Sequence, residues 1–278
     1  MLRILVDSAA DYSLQELKEK KIELIPLSIT LNDTAYLDTV ELERNHFYEL
    51  LESTGSFPKT SQPSPEAFAT VFHDAKEKGD EVICILLSSA LSGTCQSATI
   101  AKSMVEYDNI YIIDSLSATI AIKLMADYAN DLRKQEVSAK EIVAKIEAMK
   151  SRTRIFAAID TLEYLQRGGR ISKTAAAIGS LANLKPIITV TEEGTVSIVS
   201  KCIGRNKAIA TVLKFLEEHP ADPAFPVYPL FTYGKENAEK LIEKCAKESI
   251  VCANLQQVGA AIGAHIGAGA FGLAYVEK

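Results

Sequence analysis

The run Val82-Ile83-Cys84-Ile85-Leu86 constrains this chain more than any other stretch. Five apolar residues in succession, preceded by Gly79-Asp80-Glu81, read as a β-strand buried on both faces. A strand of that kind needs helices above and below it, and so points to an α/β protein. Directly after it comes Leu87-Ser88-Ser89-Ala90-Leu91-Ser92-Gly93-Thr94. From Thr94 to Val105 the residues Ala98, Ala101 and Val105 repeat at the spacing of one helix face. A cluster of hydroxyls and one glycine therefore sits where a buried strand meets a helix N-terminus. Unpaired backbone N–H groups, the positive end of the helix dipole and neutral donors meet there, which suits an anion.

The same alternation runs along the whole chain. Leu2–Val6 reads as a strand leading into Asp7-Ser8-Ala9-Ala10-Asp11, and Ser13 with Glu16 reads as the capping box of a helix reaching Lys20. Ile22–Ile29 is strand-like, with Pro26 imposing a bulge or an edge. Helical patterns follow at Leu42–Glu52 and Pro65–Lys78, then a strand at Ile110–Ile113 and an amphipathic helix at Ser138–Met149. After Arg152 the pattern changes. Arg154–Ile159 reads as a strand, and Leu162–Gln166 as a helical turn stopped by Gly168-Gly169. Ile187–Thr191 and Val196–Ser200 form a hairpin across Glu192-Glu193-Gly194-Thr195. A helix over Arg205–Glu218, a loop rich in proline (Pro220, Pro223, Pro226, Pro229), and strands at Val227–Phe231, near Val251–Leu255 and at Phe271–Val276 complete the chain, with a helix over Ala238–Cys245. The expected architecture is α/β in two lobes. Residues 1–150 form a three-layer α/β/α domain with a mainly parallel sheet, and residues 151–278 a mixed-sheet α/β domain, with segments free to cross between them.

Composition narrows the function. The net charge is −6 with no basic block, so nucleic acid and anionic lipid surfaces are poor partners. Five scattered cysteines with no CxxC pair read as reduced thiols of a cytoplasmic protein, and the apolar part of Met1–Asp7 is too short for a signal peptide. The four histidines lack ligand spacing, so no metal site is expected from them. Residues 249–276 carry no charge, and Gly259, Gly263 and Gly267 are spaced as in a membrane helix, yet Asn254, Gln256, Gln257 and His265 favour close packing in a soluble core. The GxGxxG match at Gly267–Gly272 lies too near the C-terminus for a dinucleotide fold. There is no GxSxG elbow and no P-loop. Asp7 and Asp11 have the spacing to hold Mg²⁺ with a phosphate, but a strand end and a helix cap explain them more simply.

Four elements have more polar groups than local structure requires. In Lys59-Thr60-Ser61-Gln62-Pro63-Ser64-Pro65, Ser64 and Pro65 start a helix, which leaves Thr60, Ser61 and Gln62 over. Ser92, Gly93 and Thr94 end the loop after the buried strand. Arg167 and Arg170 flank Gly168-Gly169. His265 stands alone in a glycine-rich, uncharged setting.

With Asp7-Ser8-Ala9-Ala10-Asp11 these elements resemble the DegV family, in Lys59-Thr60-Ser61-Gln62-Pro63-Ser64, Ser88–Thr94, Leu162–Ile171 and His265-Ile266-Gly267-Ala268-Gly269, over residues 2–276. Cys95 stands where an aromatic often follows Ser-Gly-Thr, and Ala268 where a proline is common. The resemblance implies a two-domain α/β fold with a bound long-chain fatty acid and no cofactor. It also implies the role of the fatty-acid-binding subunit of a bacterial fatty-acid kinase, which presents the carboxylate to a separate ATP-binding subunit. On that reading Thr60, Ser61, Ser92, Gly93, Thr94 and His265 hold the carboxylate, Arg170 supports them and Arg205 contacts the kinase subunit. Transient exchange with a membrane is compatible with it; stable insertion is not. Ala118–Tyr128 and Thr174–Leu184 are candidate walls for the acyl chain. Two alternatives are a stand-alone phosphotransferase using Asp7, Asp11 and His265, and a carrier of another amphipathic lipid acid.

Overall fold

Strand β6 (Glu81–Leu86) has every residue after Glu81 buried, because both of its faces are covered. Residues 1–172 and 183–278 are described by the structure, a computed structural model. β6 lies inside a parallel sheet of order β2-β1-β6-β7, with β1 at Leu2–Asp7, β2 at Ile22–Ile25 and β7 at Ile110–Asp114. Its alternate residues Val82, Cys84 and Leu86 join Phe68, Phe72 and Ala75 of helix α3 (Pro65–Lys78) and Ala98, Ala101 and Val105 of α4 (Thr94–Val105) in one core. The intervening Ile83 and Ile85 face the other way, toward α5 (Ile120–Lys134) and α6 (Ala139–Lys150). This is a three-layer α/β/α arrangement dictated by period-2 side-chain placement.

A second sheet has the order β10-β9-β8-β13-β11-β12 and is mixed. Its strands are β8 (Thr153–Ala158), β9 (Leu184–Val190), β10 (Val196–Ile203), β11 (Tyr228–Phe231), β12 (Gln256–Gln257) and β13 (Phe271–Val276). Phe156, Ile187, Leu273 and Tyr275 pack on helices α8 (Arg205–Glu218) and α9 (Glu236–Lys247). The opposite face presents Ile155, Ala157, Ile188, Leu230 and Ala274 to the same core that covers the first sheet. The α5–α6 layer is thus shared between the two sheets.

A small antiparallel sheet, β4-β3-β5, is built from Thr34–Leu37, Ser28–Leu31 and Lys59–Ser61. It corrects one expectation. Pro26 does not merely bulge one strand; the chain leaves the parallel sheet at Ile25 and enters the small sheet at Ser28. Lys59–Ser61 is its third strand, with Thr60 paired to Ile29. Near Val251–Leu255 there is one bridge, Val227 to Cys252, and the strand proper is Gln256–Gln257. Among the described residues the remaining α-helices are α1 (Leu14–Lys20), α2 (Arg44–Thr54), α7 (Glu163–Arg167) and α10 (Ala260–Ile266). Capping boxes at Ser13/Glu16 and Ser138/Glu141 start α1 and α6. All five cysteines are free thiols. Among the described residues no helix is long and apolar enough to cross a membrane.

Candidate functional site

Between the two sheets lies a cavity of about 370 Å³, within the range of small-molecule sites. Its apolar wall comes from Ile155, Ala157, Ile188, Val190, Val196 and Leu230 of the second sheet, with Leu27, Leu87 and Val258. The periodicity of those strands was legible, but which face would meet a cavity was not. Of Ala118–Tyr128, only Ala118 and Thr119 reach it; the rest of that stretch belongs to α5, most of it buried in the core. Of Thr174–Leu184, residues 174–182 lie outside the described residues, and Leu184 opens β9.

Thr60, Ser61, Gln62, Ser92, Gly93, Arg170 and His265 all line this cavity. They come from four separate elements: β5, the β6–α4 loop, the segment after α7, and α10. Direct contacts join them. Thr60 Oγ1 and His265 Nε2 share a hydrogen bond of 2.9 Å across 205 residues of sequence. Gln62 Nε2 donates to Ser97 Oγ at 2.9 Å, and its carbonyl oxygen lies over Gly93, where an added Cβ would meet it at 2.0 Å. Arg170 donates from Nε to the Leu91 carbonyl at 2.9 Å and from Nη1 to the Gly168 carbonyl at 2.5 Å. A Cβ on Gly168 would stand 2.2 Å from His265 Nδ1, so glycine is what admits the ring. Gln62 and Gly168 had shown no such role in the sequence, since both act on residues far along the chain.

Thr94 departs from its expected place. It is fully buried, does not line the cavity, and reaches it only through a 2.9 Å hydrogen bond to Ser92. Gly93 is the N-cap of α4 and has no side-chain cap, so that helix end stays open toward the cavity. Arg205 lies apart from the site: it is more than half exposed, begins α8 and stands 3.7 Å from Asp160.

Burial first, and the Arg170 charge second, push the His265 pKa down to about 4. The imidazole is neutral at pH 7. The site is therefore a small set of neutral donors with one cation behind it, next to a long aliphatic wall. Such an arrangement can hold an anionic head group by hydrogen bonds and an apolar chain by burial.

A second polar cluster surrounds Asp7 and Asp11. Asp7 ends β1 as expected and accepts from the backbone N–H of Ala9 and Leu87, at 3.0 and 2.7 Å. Asp11 does not cap α1, which Ser13 caps. It has left-handed backbone and accepts from the Gly259 N–H at 2.7 Å and from the Thr119 hydroxyl. Both carboxylates are fully buried with every oxygen occupied. A phosphotransferase would need them open to Mg²⁺ and phosphate. Among the described residues no group of three or more His, Cys, Asp or Glu could hold a metal ion.

The family model that matches the chain, over residues 1–278, is that of the DegV family of uncharacterised proteins. A DegV domain-containing protein of Caldanaerobacter subterraneus subsp. tengcongensis is 34% identical over 279 residues, covering 100% of this chain and 99% of that protein. Among solved structures, DegV of Bacillus subtilis, described as a fatty acid binding protein, is 33% identical with a TM-score of 0.87, covering 100% and 99% of the two chains. A stearic acid-binding protein of Eubacterium ventriosum is 29% identical with a TM-score of 0.90, again over 100% and 99%.

Proposed function

This chain belongs to the DegV family, and we propose that it binds a long-chain fatty acid in the cavity between its sheets and presents the carboxylate to a separate ATP-binding kinase subunit that makes the acyl phosphate. DegV-family structures bind fatty acids. The observation that carries the reading for this chain is the partition of the cavity lining. Thr60 is hydrogen-bonded to the one histidine, with Ser61, Gln62, Ser92, Gly93 and Arg170 on the same lining, and apart from Thr119 and Thr189 the remaining wall is aliphatic.

The energetics suit that division. A tail of about sixteen carbons gains roughly 0.8 kcal/mol per buried methylene, on the order of 10 kcal/mol in all. The tail supplies affinity and the head group supplies position. Hydrogen bonds to a charged group contribute about 1.5–3 kcal/mol each, so Thr60, Ser92 and the open N-terminus of α4 can offset burial of a carboxylate, with Ser61 beside them. A bidentate arginine fork would hold the carboxylate too firmly for transfer, and Arg170 is already engaged with the Leu91 and Gly168 carbonyls. Arg205, exposed at the start of α8, is the contact we assign to the kinase subunit. The free cysteines support a cytoplasmic setting.

The test is transfer itself. With a kinase subunit, ATP and limiting fatty acid, the double variant Thr60→Ala/Ser92→Ala should make acyl phosphate at least about tenfold more slowly, as loss of two charge-assisted bonds requires. Unchanged turnover removes both residues from the role.

A further inference from the structure

The five cysteines differ in their surroundings. Cys84, Cys95 and Cys202 are buried. Burial pushes the Cys84 thiol well up and the Cys95 thiol up to about 12, so neither forms a thiolate at neutral pH. Cys245 and Cys252 make a pair, because the chain turns back between them. Helix α9 ends at Lys247, and the N–H groups of Glu248, Ser249 and Ile250 bond carbonyls of its last turn, with Ile250 reaching that of Cys245 at 2.9 Å. Ser249 has left-handed backbone, with φ 61°, which reverses the chain after the helix. Cys252 is thereby laid beside Val227 and bridged to it, with the Ala253 N–H donating to the Val227 carbonyl at 2.8 Å. Val227 and Cys245 belong to one core, and Cys252 packs against that core.

The two side chains meet. The Cys245 thiol donates a hydrogen bond to the Cys252 sulfur. Cys245 is fully buried in the last turn of α9, where the negative end of the helix dipole opposes a thiolate. The hydrogen bond to Cys252 first, and burial second, push its thiol up. The same hydrogen bond holds the Cys252 thiol below its ordinary value, against the cost of partial burial. The other four cysteines are buried, whereas Cys252 is partly exposed. Thiolate character, access to solvent and a protonated second thiol thus coincide at Cys252, which is what a peroxide-sensitive cysteine requires.

We propose that Cys252 and Cys245 are a peroxide-reactive dithiol, with Cys252 the attacking sulfur and Cys245 the resolving one, which hydrogen peroxide converts to an intramolecular disulfide. Neither residue lines the cavity, so the inference stands apart from the lipid reading. The Cys252 thiolate attacks one oxygen of the peroxide and the O–O bond breaks. The leaving hydroxide takes the proton that Cys252 gave up, and Cys252 becomes a sulfenic acid. The Cys245 sulfur then attacks the Cys252 sulfur, the S–O bond breaks, and the oxygen leaves with the Cys245 proton as a second water. Two thiols are oxidised to one disulfide, and one peroxide is reduced to two waters.

The test treats the reduced full-length protein with an equivalent of hydrogen peroxide at pH 7, unfolds it in the presence of N-ethylmaleimide and maps the peptides by mass spectrometry. A Cys245–Cys252 disulfide within one chain is expected, reversed by dithiothreitol, with Cys84, Cys95 and Cys202 alkylated. In Cys245→Ala, dimedone should trap a sulfenic acid on Cys252. In Cys252→Ser, loss of thiols to peroxide should slow at least about tenfold. Disulfides formed only between chains, oxidation spread over all five cysteines at similar rates, or a dimedone adduct on Cys245 in Cys252→Ser overturns the proposal. So does a wild-type protein that peroxide leaves fully reduced, a readout that does not depend on either variant folding.

Discussion

Two buried polar clusters flank the short helix α10, and they use their polar groups in opposite ways. At its N-terminal end, Asp11 and Asp38 accept from the Gly259 and Ala261 N–H groups at 2.7 and 3.2 Å, and Arg44 donates to the Gln257 carbonyl at 2.9 Å. Tyr48 adds a bond to the Val258 carbonyl at 2.9 Å. These side chains lie within the first 48 residues and suspend a backbone segment more than 200 residues away. Near the C-terminal end of α10, among the described residues, His265 leaves one nitrogen without a partner, and Thr60 and Ser92 each make one side-chain bond while facing a cavity. The first cluster carries more charge and spends it mainly on the chain's own backbone, although Asp38 Oδ1 and Arg44 Nη2 also lack a hydrogen-bond partner among the described residues. What sets the second apart is that its hydroxyls and imidazole face a cavity. Polar groups turned into a cavity, rather than onto backbone, mark a binding site. The first cluster therefore reads as the support that holds the second in position.

The contrast can be broken from either side. Asp11→Ala strands a backbone N–H and a hydroxyl in the core. It should lower stability by about 2–3 kcal/mol, seen as a fall in Tm of roughly 5–10 °C. Thr60→Val in the other cluster should change stability by less than about 1 kcal/mol and still weaken fatty-acid binding. Equal losses of stability in the two variants would erase the distinction between support and site.

A smaller effect concerns pH. Burial is the first cause that pushes Asp7 up to about 7, and Asp11 and Asp38 up to about 6, from the ordinary value of 3.8. The folded protein thus holds these protons more tightly than the unfolded chain. The resulting stabilisation is whole below about pH 4, declines as pH rises, and is lost above about pH 7. Asp38→Asn cannot ionise, so its Tm should fall less than the wild type's between pH 4.5 and 7.5, by roughly 2–4 °C. Parallel curves would show that Asp38 does not titrate in that window.

Local physics was readable in the sequence. The helix over Thr94–Val105 and the strand over Phe271–Val276 have the boundaries their periodicity gives, and the Ser13/Glu16 capping box closes as its spacing requires. So does the identity of most cavity-lining polar residues, because hydroxyls in excess of capping needs are conspicuous. Other features were out of reach for a common reason. Lys59–Ser61 is a three-residue strand with no apolar alternation, and it exists only because Ser28–Leu31 lies beside it. The burial of Thr94, the hold of Asp11 on Gly259 and the approach of Gly168 to His265 depend on contacts between segments distant in sequence. Periodicity describes a segment's own faces and is silent about what those faces meet.

That the cavity holds an aliphatic chain ending in a carboxylate is tested most directly by mass spectrometry of whatever is released when protein purified from a bacterial host is denatured. Long-chain fatty acid is expected, close to one molecule per chain. A polar metabolite in its place, or no acyl ligand together with no uptake of added oleate, would contradict it.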